Sequence, residues 1–192
     1  MVAMQDLITA VTACTACKAH LPLPPKPILQ VGVSSRILII GQAPGLKAHQ
    51  RGRPFDDPSG VRLREWLGVS EQVFYDPSLI SLMPMGFCFP GSAERGDKPP
   101  RPECAPLWHA KLLAQMPEIQ LTLLLGRHAH KAYWRQSNAS ITQAIQDWQA
   151  NPRSTIPLLH PSPRNNIWLK RNPWYQSEFL PLLKQRVAQA LG

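Results

Sequence analysis

The feature that most constrains the fold of this chain is a set of short apolar runs that end at glycine or at polar turns. Arg36–Gly41 (RILIIG) and Gln120–Leu125 (QLTLLL) are of strand length and are apolar at most positions. Continuous runs of this kind are typical of strands buried on both faces, as in parallel sheets covered by helices. Ser78–Met83 and Ile156–His160 predict two further strands.

Helical segments separate these strands along the chain. The predicted helices cover Met4–Ala13, Gly60–Leu67, Cys104–Gln115, His128–Arg135, Ile141–Gln149 and Trp174–Leu191. Strands that alternate with helices indicate an α/β protein. We therefore expect a three-layer sandwich, with a central, mostly parallel four-stranded sheet flanked by helices, formed by residues 1–192 as a single domain. Leu21–Pro27 is predicted to be a stiff surface segment and Gly91–Pro102 a polar loop, because proline fixes φ and removes a donor.

The chain is strongly basic, with 21 Lys and Arg against 12 Asp and Glu and a formal net charge of +9. A basic excess of this size favours a polyanionic partner, nucleic acid before an acidic membrane surface. No apolar run approaches the roughly 20 residues of a membrane-spanning helix. The N-terminus lacks the basic and apolar regions of a secretory signal. These features predict a cytoplasmic, nucleoid-associated protein without a membrane partner.

Four cysteines form two pairs of different spacing. Cys14 and Cys17 make a C-x2-C pair, and Cys88 and Cys104 stand far apart in proline-rich sequence. Disulfides are disfavoured in a reducing cytoplasm. Three interpretations remain open: a [4Fe–4S] cluster held by four thiolates, a zinc site with four cysteine ligands, and four unrelated thiols. The wide second pair departs from the spacing usual for zinc.

Three rigid loops carry candidate functional residues. Gly41–Gly45 (GQAPG) follows a strand, and its backbone N–H groups can face a ligand, although a plain turn explains it too. It lacks the G-x4-G-K-[ST] pattern of nucleoside triphosphatases. Gly52–Gly60 (GRPFDDPSG) carries Phe55, which can stack on a base or simply anchor the loop. His160–Asn165 (HPSPRN) carries an imidazole that either donates to a developing anion or plays a structural role.

These pieces, in this order, resemble the uracil-DNA glycosylase superfamily, most closely its iron–sulfur branch of family four. That branch typically carries a C-x2-C pair, a GE[AG]PG loop, a G-x-PF loop, a second cysteine pair, an apolar strand ending in glycine and a His-Pro loop. The matching segments here are Cys14 with Cys17, GQAPG, GRPF, Cys88 with Cys104, LLLGRHAHKA and HPSPRN. The resemblance covers most of the chain. It implies a structural [4Fe–4S] cluster on the four cysteines, DNA as partner and a monomer.

The resemblance also implies hydrolysis of an N-glycosidic bond after a base is flipped into a pocket. It assigns stacking on the base to Phe55 and a hydrogen bond to the departing base to His160. The implied catalytic residues are His160 and Gln42. The implied substrate contacts are Gly41, Gln42, Ala43, Phe55, Pro84 and Ser162. The implied DNA contacts are Pro161, Pro163, Arg164 and Asn165.

Three positions depart from the family pattern. Gln42 stands where the family usually has an acidic residue. Ala43 replaces the Asp that orients or activates water in family-one enzymes. Pro84 replaces an Asn that reads the uracil edge. A glutamine can position water but cannot take its proton at ordinary pH. Asp56 or Asp57 is therefore considered as a nearby source of charge.

The sequence thus supports two main functions. The first is a DNA glycosylase that removes uracil or another deaminated base in base excision repair. The second is a catalytically weak or inactive iron–sulfur protein of the same fold that binds DNA. An enzyme that acts on another nucleic acid or nucleobase is a third interpretation.

Overall fold

A computed structural model of the chain describes residues 3–94, 96–134 and 139–192. Its strands are β1 (Ile37–Ile40), β2 (Ile80–Leu82), β3 (Ser92–Ala93), β4 (Gly96–Asp97), β5 (Leu121–Leu125) and β6 (Thr155–Leu158). Four of them form one sheet in the order β2–β1–β5–β6, and each pairing in it is parallel. β3 and β4 form a separate antiparallel pair, which we call the hairpin (residues 92–94 and 96–97).

Apolar residues on both faces of the strands explain why this sheet forms the centre of the molecule. All four residues of β1 are buried, and Ile37 pairs with Ile80 on one side and with Leu121 on the other. Pro157 lies in β6, which is an edge strand of the sheet. Proline is tolerated at an edge because its missing N–H breaks no central ladder.

Helices cover this sheet. They are α1 (Met4–Thr12), α2 (Leu46–Arg51), α3 (Pro58–Leu67), α4 (Glu71–Phe74), α5 (Cys104–Leu113), α6 (Gly126–Tyr133), α7 (Ile141–Ala150), α8 (Asn166–Arg171) and α9 (Leu180–Leu191). α9 packs on β1, on β5 and on α3. α6 and α7 both pack on β6, and α1 packs on α5. The predicted α/β fold with a central parallel sheet is confirmed, and the sheet is parallel throughout.

Two predicted boundaries next to the site need correction. The strand predicted over Ile156–His160 ends at Leu158, so His160 lies in the loop beyond it. The helix predicted over His128–Arg135 begins at Gly126, directly after β5. Gly126 has a φ of 75°, which lets the chain turn from strand to helix without a linker. Arg135 lies outside the described residues.

Several short elements were not predicted. The segment Gly91–Pro102, predicted as a polar loop, contains the hairpin. α2, α4 and α8 have six residues or fewer, which is too short for a helical period to stand out in the sequence. A π-helical turn over Tyr175–Phe179 precedes α9 inside the predicted terminal helix. Among the described residues, no helix is long and apolar enough to cross a membrane.

Candidate active site

A cleft of about 510 Å³ opens at the carboxyl edge of the parallel sheet. It is bordered by the loops that follow β1, β2 and β6 and by the hairpin. The structure brings all the predicted catalytic and substrate-binding residues onto this one cleft: Gly41, Gln42, Ala43, Phe55, Pro84, His160 and Ser162. Ligands of open α/β sheets bind at this edge.

The GQAPG loop continues from β1 and is fixed by the segment that follows β2. The N–H of Met85 donates to the carbonyl oxygen of Gly41 at 2.9 Å, and that of Gly86 donates to Gln42 at 3.0 Å. These bonds extend the parallel pairing beyond the strand ends. The side-chain Nε2 of Gln42 donates to the carbonyl oxygen of Lys98 at 3.1 Å. Gln42 therefore ties the loop to the residue that follows the hairpin.

Pro84 is buried and reaches the cleft without an amide group. Its carbonyl oxygen lies 3.0 Å from Nε2 of His109, and Nδ1 of His109 lies 2.6 Å from the hydroxyl of Tyr133. Because a carbonyl only accepts, Nε2 of His109 carries the proton and the Tyr133 hydroxyl donates to Nδ1. Pro84 thus lines the cleft without a side-chain donor or acceptor, and its carbonyl oxygen already accepts from His109.

Phe55 has a backbone φ of 55°, in the left-handed region that residues other than glycine rarely adopt. A Cβ at Gly60 would overlap the carbonyl oxygen of Phe55, so glycine there is needed for the close approach. The hydroxyl of Tyr75 donates to the carbonyl oxygen of Pro54 at 3.0 Å and fixes the preceding peptide. The surroundings hold this conformation at a cost of about 1–3 kcal/mol.

This backbone conformation places the Phe55 ring beside the first loop. The ring meets Phe74 edge to face, with the centroids 6.1 Å apart and the planes at 84°. A Cβ at Gly41 would lie 3.1 Å from the ring. The two neighbours fix the ring position, and Phe55 remains part of the cleft lining.

The two carboxylates next to Phe55 are both engaged. Asp56 accepts from Arg51 at 2.9 Å and lies 3.3 Å from Arg53. The hydrogen bond from Arg53 holds the pKa of Asp56 below its ordinary value. Asp57 faces the cleft, but its Oδ1 accepts the N–H of Gly60 at 2.9 Å and caps α3.

His160 has a defined tautomer. The backbone N–H of Ser162 donates to Nδ1 of His160 at 3.2 Å, so Nε2 carries the proton and is the remaining donor. Burial lowers the pKa of His160, while Asp57 raises it and Arg164 lowers it. The imidazole is therefore neutral at neutral pH. A neutral Nε2–H can donate to an oxygen that gains negative charge.

The four predicted DNA contacts of the HPSPRN loop lie in different surroundings. Asn165 donates through Nδ2 to the carbonyl oxygen of His160 at 2.7 Å, which fixes the loop. The guanidinium of Arg164 lies against Gly96 of the hairpin, where a Cβ would overlap it. Both residues line the cleft. Pro161 is buried and Pro163 is exposed, and neither lines the cleft.

Asp97 and Arg127 line the same cleft and were missed by sequence reasoning. Asp97 ends β4, and Arg127 is the second residue of α6. A Cβ at Gly45 would lie 3.3 Å from Oδ2 of Asp97, so this carboxylate lies against the GQAPG loop. The available signal for Asp97 was only the glycine and proline content of Gly91–Pro102, which marks a turn or loop.

The four cysteines line one narrow cavity beside the cleft: Cys14, Cys17, Cys88 and Cys104. The backbone N–H of Phe87 donates to Sγ of Cys104 at 3.3 Å. The Sγ of Cys17 lies 3.8 Å from a carboxylate oxygen of Glu103. In the part of the chain that the structure describes, no group of three or more His, Cys, Asp or Glu is placed to hold a metal ion. What the structure shows is therefore one shared cavity for the four thiols.

Burial governs the ionisation of these thiols. It raises the pKa of Cys104 to about 12, and it raises the pKa values of Cys88 and Cys17 as well. Without a positive centre these three thiols keep their protons at neutral pH. Hydrogen bonds such as that from Phe87 stabilise the thiolate form of a ligand sulfur.

Comparison with known proteins decides the family. The sequence model of the uracil DNA glycosylase superfamily matches residues 30–184. The chain belongs to this superfamily. The predicted resemblance is confirmed, and with it the assignment to the hydrolytic DNA N-glycosylases as a class of enzyme. The matched residues include the whole cleft together with Cys88 and Cys104, whereas Cys14 and Cys17 precede them.

A curated relative agrees with the superfamily assignment. The chain is similar to the "Type-4 uracil-DNA glycosylase" of Thermotoga maritima, at 27% identity over 167 residues. The alignment covers 83% of this chain and 81% of the relative. The similarity thus extends over most of both proteins.

Proposed function

We propose that this chain removes uracil, or a closely related deaminated base, from DNA by hydrolysing the N-glycosidic bond. The observation that carries the proposal is the shared cleft. It joins an aromatic ring, Phe55, a loop rich in backbone donors and the neutral N–H donor of His160. Base release needs all three kinds of group.

Recognition of the base begins with stacking. The flipped base lies on the Phe55 ring, which Phe74 and Gly41 hold in position. The backbone N–H groups of Gln42 and Ala43 donate to the carbonyl edge of the base. Stacking on an aromatic side chain contributes about 1–3 kcal/mol per base.

The departing base is stabilised by His160. As the N-glycosidic bond breaks, negative charge gathers on the base, and the Nε2–H of His160 donates to its O2 oxygen. The backbone N–H of Ser162 bonds the imidazole, and the side chain of Asn165 fixes the backbone carbonyl of His160. One such donor is worth about 3 kcal/mol, or roughly a hundredfold in rate.

DNA reaches the cleft along a positively charged rim formed by Arg127 on α6 and Arg164 on the HPSPRN loop. The net charge of +9 attracts the phosphate backbone of DNA. Arg164 and Asn165 flank the gap that the flipped base leaves. The phosphate contacts fix the register of the strand.

The four cysteines fit a [4Fe–4S] cluster in number and in neighbourhood. They share one cavity, and a backbone N–H donates to one of the sulfurs, as around other iron–sulfur clusters. When bound, the cluster would be a structural cross-link between distant parts of the chain. It would take no part in the breaking of the glycosidic bond.

A second candidate function is DNA binding without efficient base release. Two observations favour it. The Gln42 side chain is bonded to Lys98, and Pro84 offers no amide to read the base. On this alternative the cleft still accepts a damaged nucleotide, but nothing activates water.

A strand-cleavage assay separates the two functions. Oligonucleotides that carry uracil, hypoxanthine or xanthine, single-stranded and opposite each normal base, are incubated with the protein and treated with alkali. We expect cleavage at uracil, and we expect His160→Ala to slow it roughly a hundredfold with DNA binding retained. His20→Ala is the matched control, because His20 is exposed and lies far from His160 in the sequence. Intact strands for every substrate, with DNA still bound, contradict the proposal and support the second function.

A further inference from the structure

We propose that Asp97 is the catalytic carboxylate of this cleft, the group that orients the attacking water and takes its proton. The proposal rests on the glycosylase function proposed above and names the residue that performs a step that Gln42 and Ala43 cannot. No residue of the GQAPG loop carries a carboxylate.

The position of Asp97 is the first support. Asp97 is the last residue of the hairpin and lies next to Gly45 of the GQAPG loop. The Oδ2 atom of Asp97 lies so close to the loop that a Cβ at Gly45 would stand 3.3 Å from it. The adjacent residue, Lys98, accepts the Gln42 side chain at 3.1 Å. A carboxylate from the hairpin therefore occupies the neighbourhood of the loop that the sequence leaves without one.

The state of the other nearby carboxylates is the second support. Asp56 is held by Arg51 and Arg53. Asp57 caps α3 through Gly60. Among the described residues, Asp97 forms no ion pair within 4.0 Å. The Asp97 carboxylate is therefore available to a water molecule, whereas Asp56 and Asp57 are bonded to other parts of the protein.

The charges around Asp97 tune it as a base. The charged and titratable groups that share its cleft are Asp57, Arg127, His160 and Arg164. Partial burial raises the pKa of Asp97, Arg164 lowers it and Asp57 raises it. A carboxylate with a raised pKa accepts a proton more readily.

The step balances as a simple hydrolysis. Asp97 takes one proton from water, and the water oxygen forms a bond to C1′ of the sugar. The bond between C1′ and the base nitrogen breaks, and its electron pair leaves with the base. His160 stabilises the resulting anion by a hydrogen bond. The proton on Asp97 is finally returned to solvent or to the base, which gives free base and an abasic sugar.

Asp97→Asn tests the proposal because it keeps the shape of the side chain and removes its charge. We expect single-turnover base release at saturating protein to fall on the order of a hundredfold or more, with DNA affinity nearly unchanged. Asp97→Glu should restore part of the rate. Glu94→Gln is the matched control, since Glu94 is an exposed carboxylate of the same hairpin outside the cleft.

The pH profile distinguishes a base from a structural residue. In the wild type, base release should fall as the pH drops through the raised pKa of Asp97, because the carboxyl then holds its proton. The same fall should be absent in Asp97→Asn. If Asp97 only positions Arg164, the variant weakens DNA binding and keeps the wild-type rate at saturation, which overturns the proposal.

The outcomes also separate this proposal from the proposed function. An active wild type with an equally active Asp97→Asn overturns the role of Asp97 and leaves the glycosylase function standing. A wild-type protein that releases none of the tested bases overturns both the role of Asp97 and the glycosylase function.

Discussion

At the scale of single residues, the cleft depends on one strained backbone position. Phe55 holds a positive φ because Gly60 leaves room for its carbonyl group and Tyr75 fixes the preceding peptide. With this backbone conformation, the Phe55 ring packs on Phe74 and Phe55 lines the cleft. Strained positions of this kind cluster at functional sites.

Gly60→Ala should therefore damage both stability and activity. Its new Cβ would overlap the carbonyl oxygen of Phe55, and backbone cannot move aside cheaply. We expect the free energy of unfolding to fall by about 1–3 kcal/mol, measured by urea denaturation, with base release impaired beyond that loss. Val61→Ala, the next residue on α3 and exposed, should change stability by less than about 0.5 kcal/mol. Equal stability of Gly60→Ala and the wild type would refute the close approach.

At the scale of elements, the hairpin organises one wall of the cleft. It carries Asp97, it lies against the guanidinium of Arg164 at Gly96, and the residue after it accepts the Gln42 side chain. Three functional groups from different parts of the sequence thus meet on a two-stranded element of four paired residues.

Arg164→Ala should weaken DNA binding by the loss of one phosphate contact. The plot of log affinity against log salt concentration should become shallower by about 0.9, measured by fluorescence anisotropy on a uracil-free duplex. Arg36→Ala is the control, because Arg36 precedes β1 at the opposite edge of the sheet and bonds Leu191. An unchanged salt dependence in Arg164→Ala would remove this residue from the DNA contacts.

The elements also show how far sequence reasoning reaches. The four sheet strands were predictable because continuous apolar runs such as Ile37–Ile40 leave a strong local pattern. The loops with Phe55 and His160 were identified from their glycine and proline content, and the family resemblance then assigned roles to both residues. The hairpin was not predicted, because Ser92–Asp97 has no alternating pattern and only one apolar residue, Ala93, which is too little to reveal pairing. The place of Asp97 beside Gly45 depends on tertiary packing, which no local pattern encodes.

At the scale of the whole molecule, four cysteines from segments far apart in sequence line one cavity. Cys14 and Cys17 follow α1, Cys88 lies beyond β2, and Cys104 begins α5. α1 also packs on α5. A cluster on these four residues would restrict the unfolded chain and anchor the N-terminal segment to the core.

Protein purified without oxygen should be brown and contain about four iron and four sulfide per chain. Removal of the cluster with a chelator and an oxidant should lower the thermal midpoint, measured by circular dichroism. Cys88→Ser should show the same loss of iron and of stability. A colourless protein that holds zinc, or one whose midpoint is unaffected by Cys88→Ser, would contradict the iron–sulfur proposal.

If the cleft breaks a glycosidic bond, mass spectrometry should detect both products of the reaction. A single-turnover reaction on a uracil-containing oligonucleotide, quenched without alkali, is analysed for the free base and for the strand. We expect free uracil and an abasic strand in equal amounts, with the rate of formation of both reduced roughly a hundredfold in His160→Ala. An intact strand that remains bound to the wild-type protein would instead identify a protein that binds DNA without cleaving the bond.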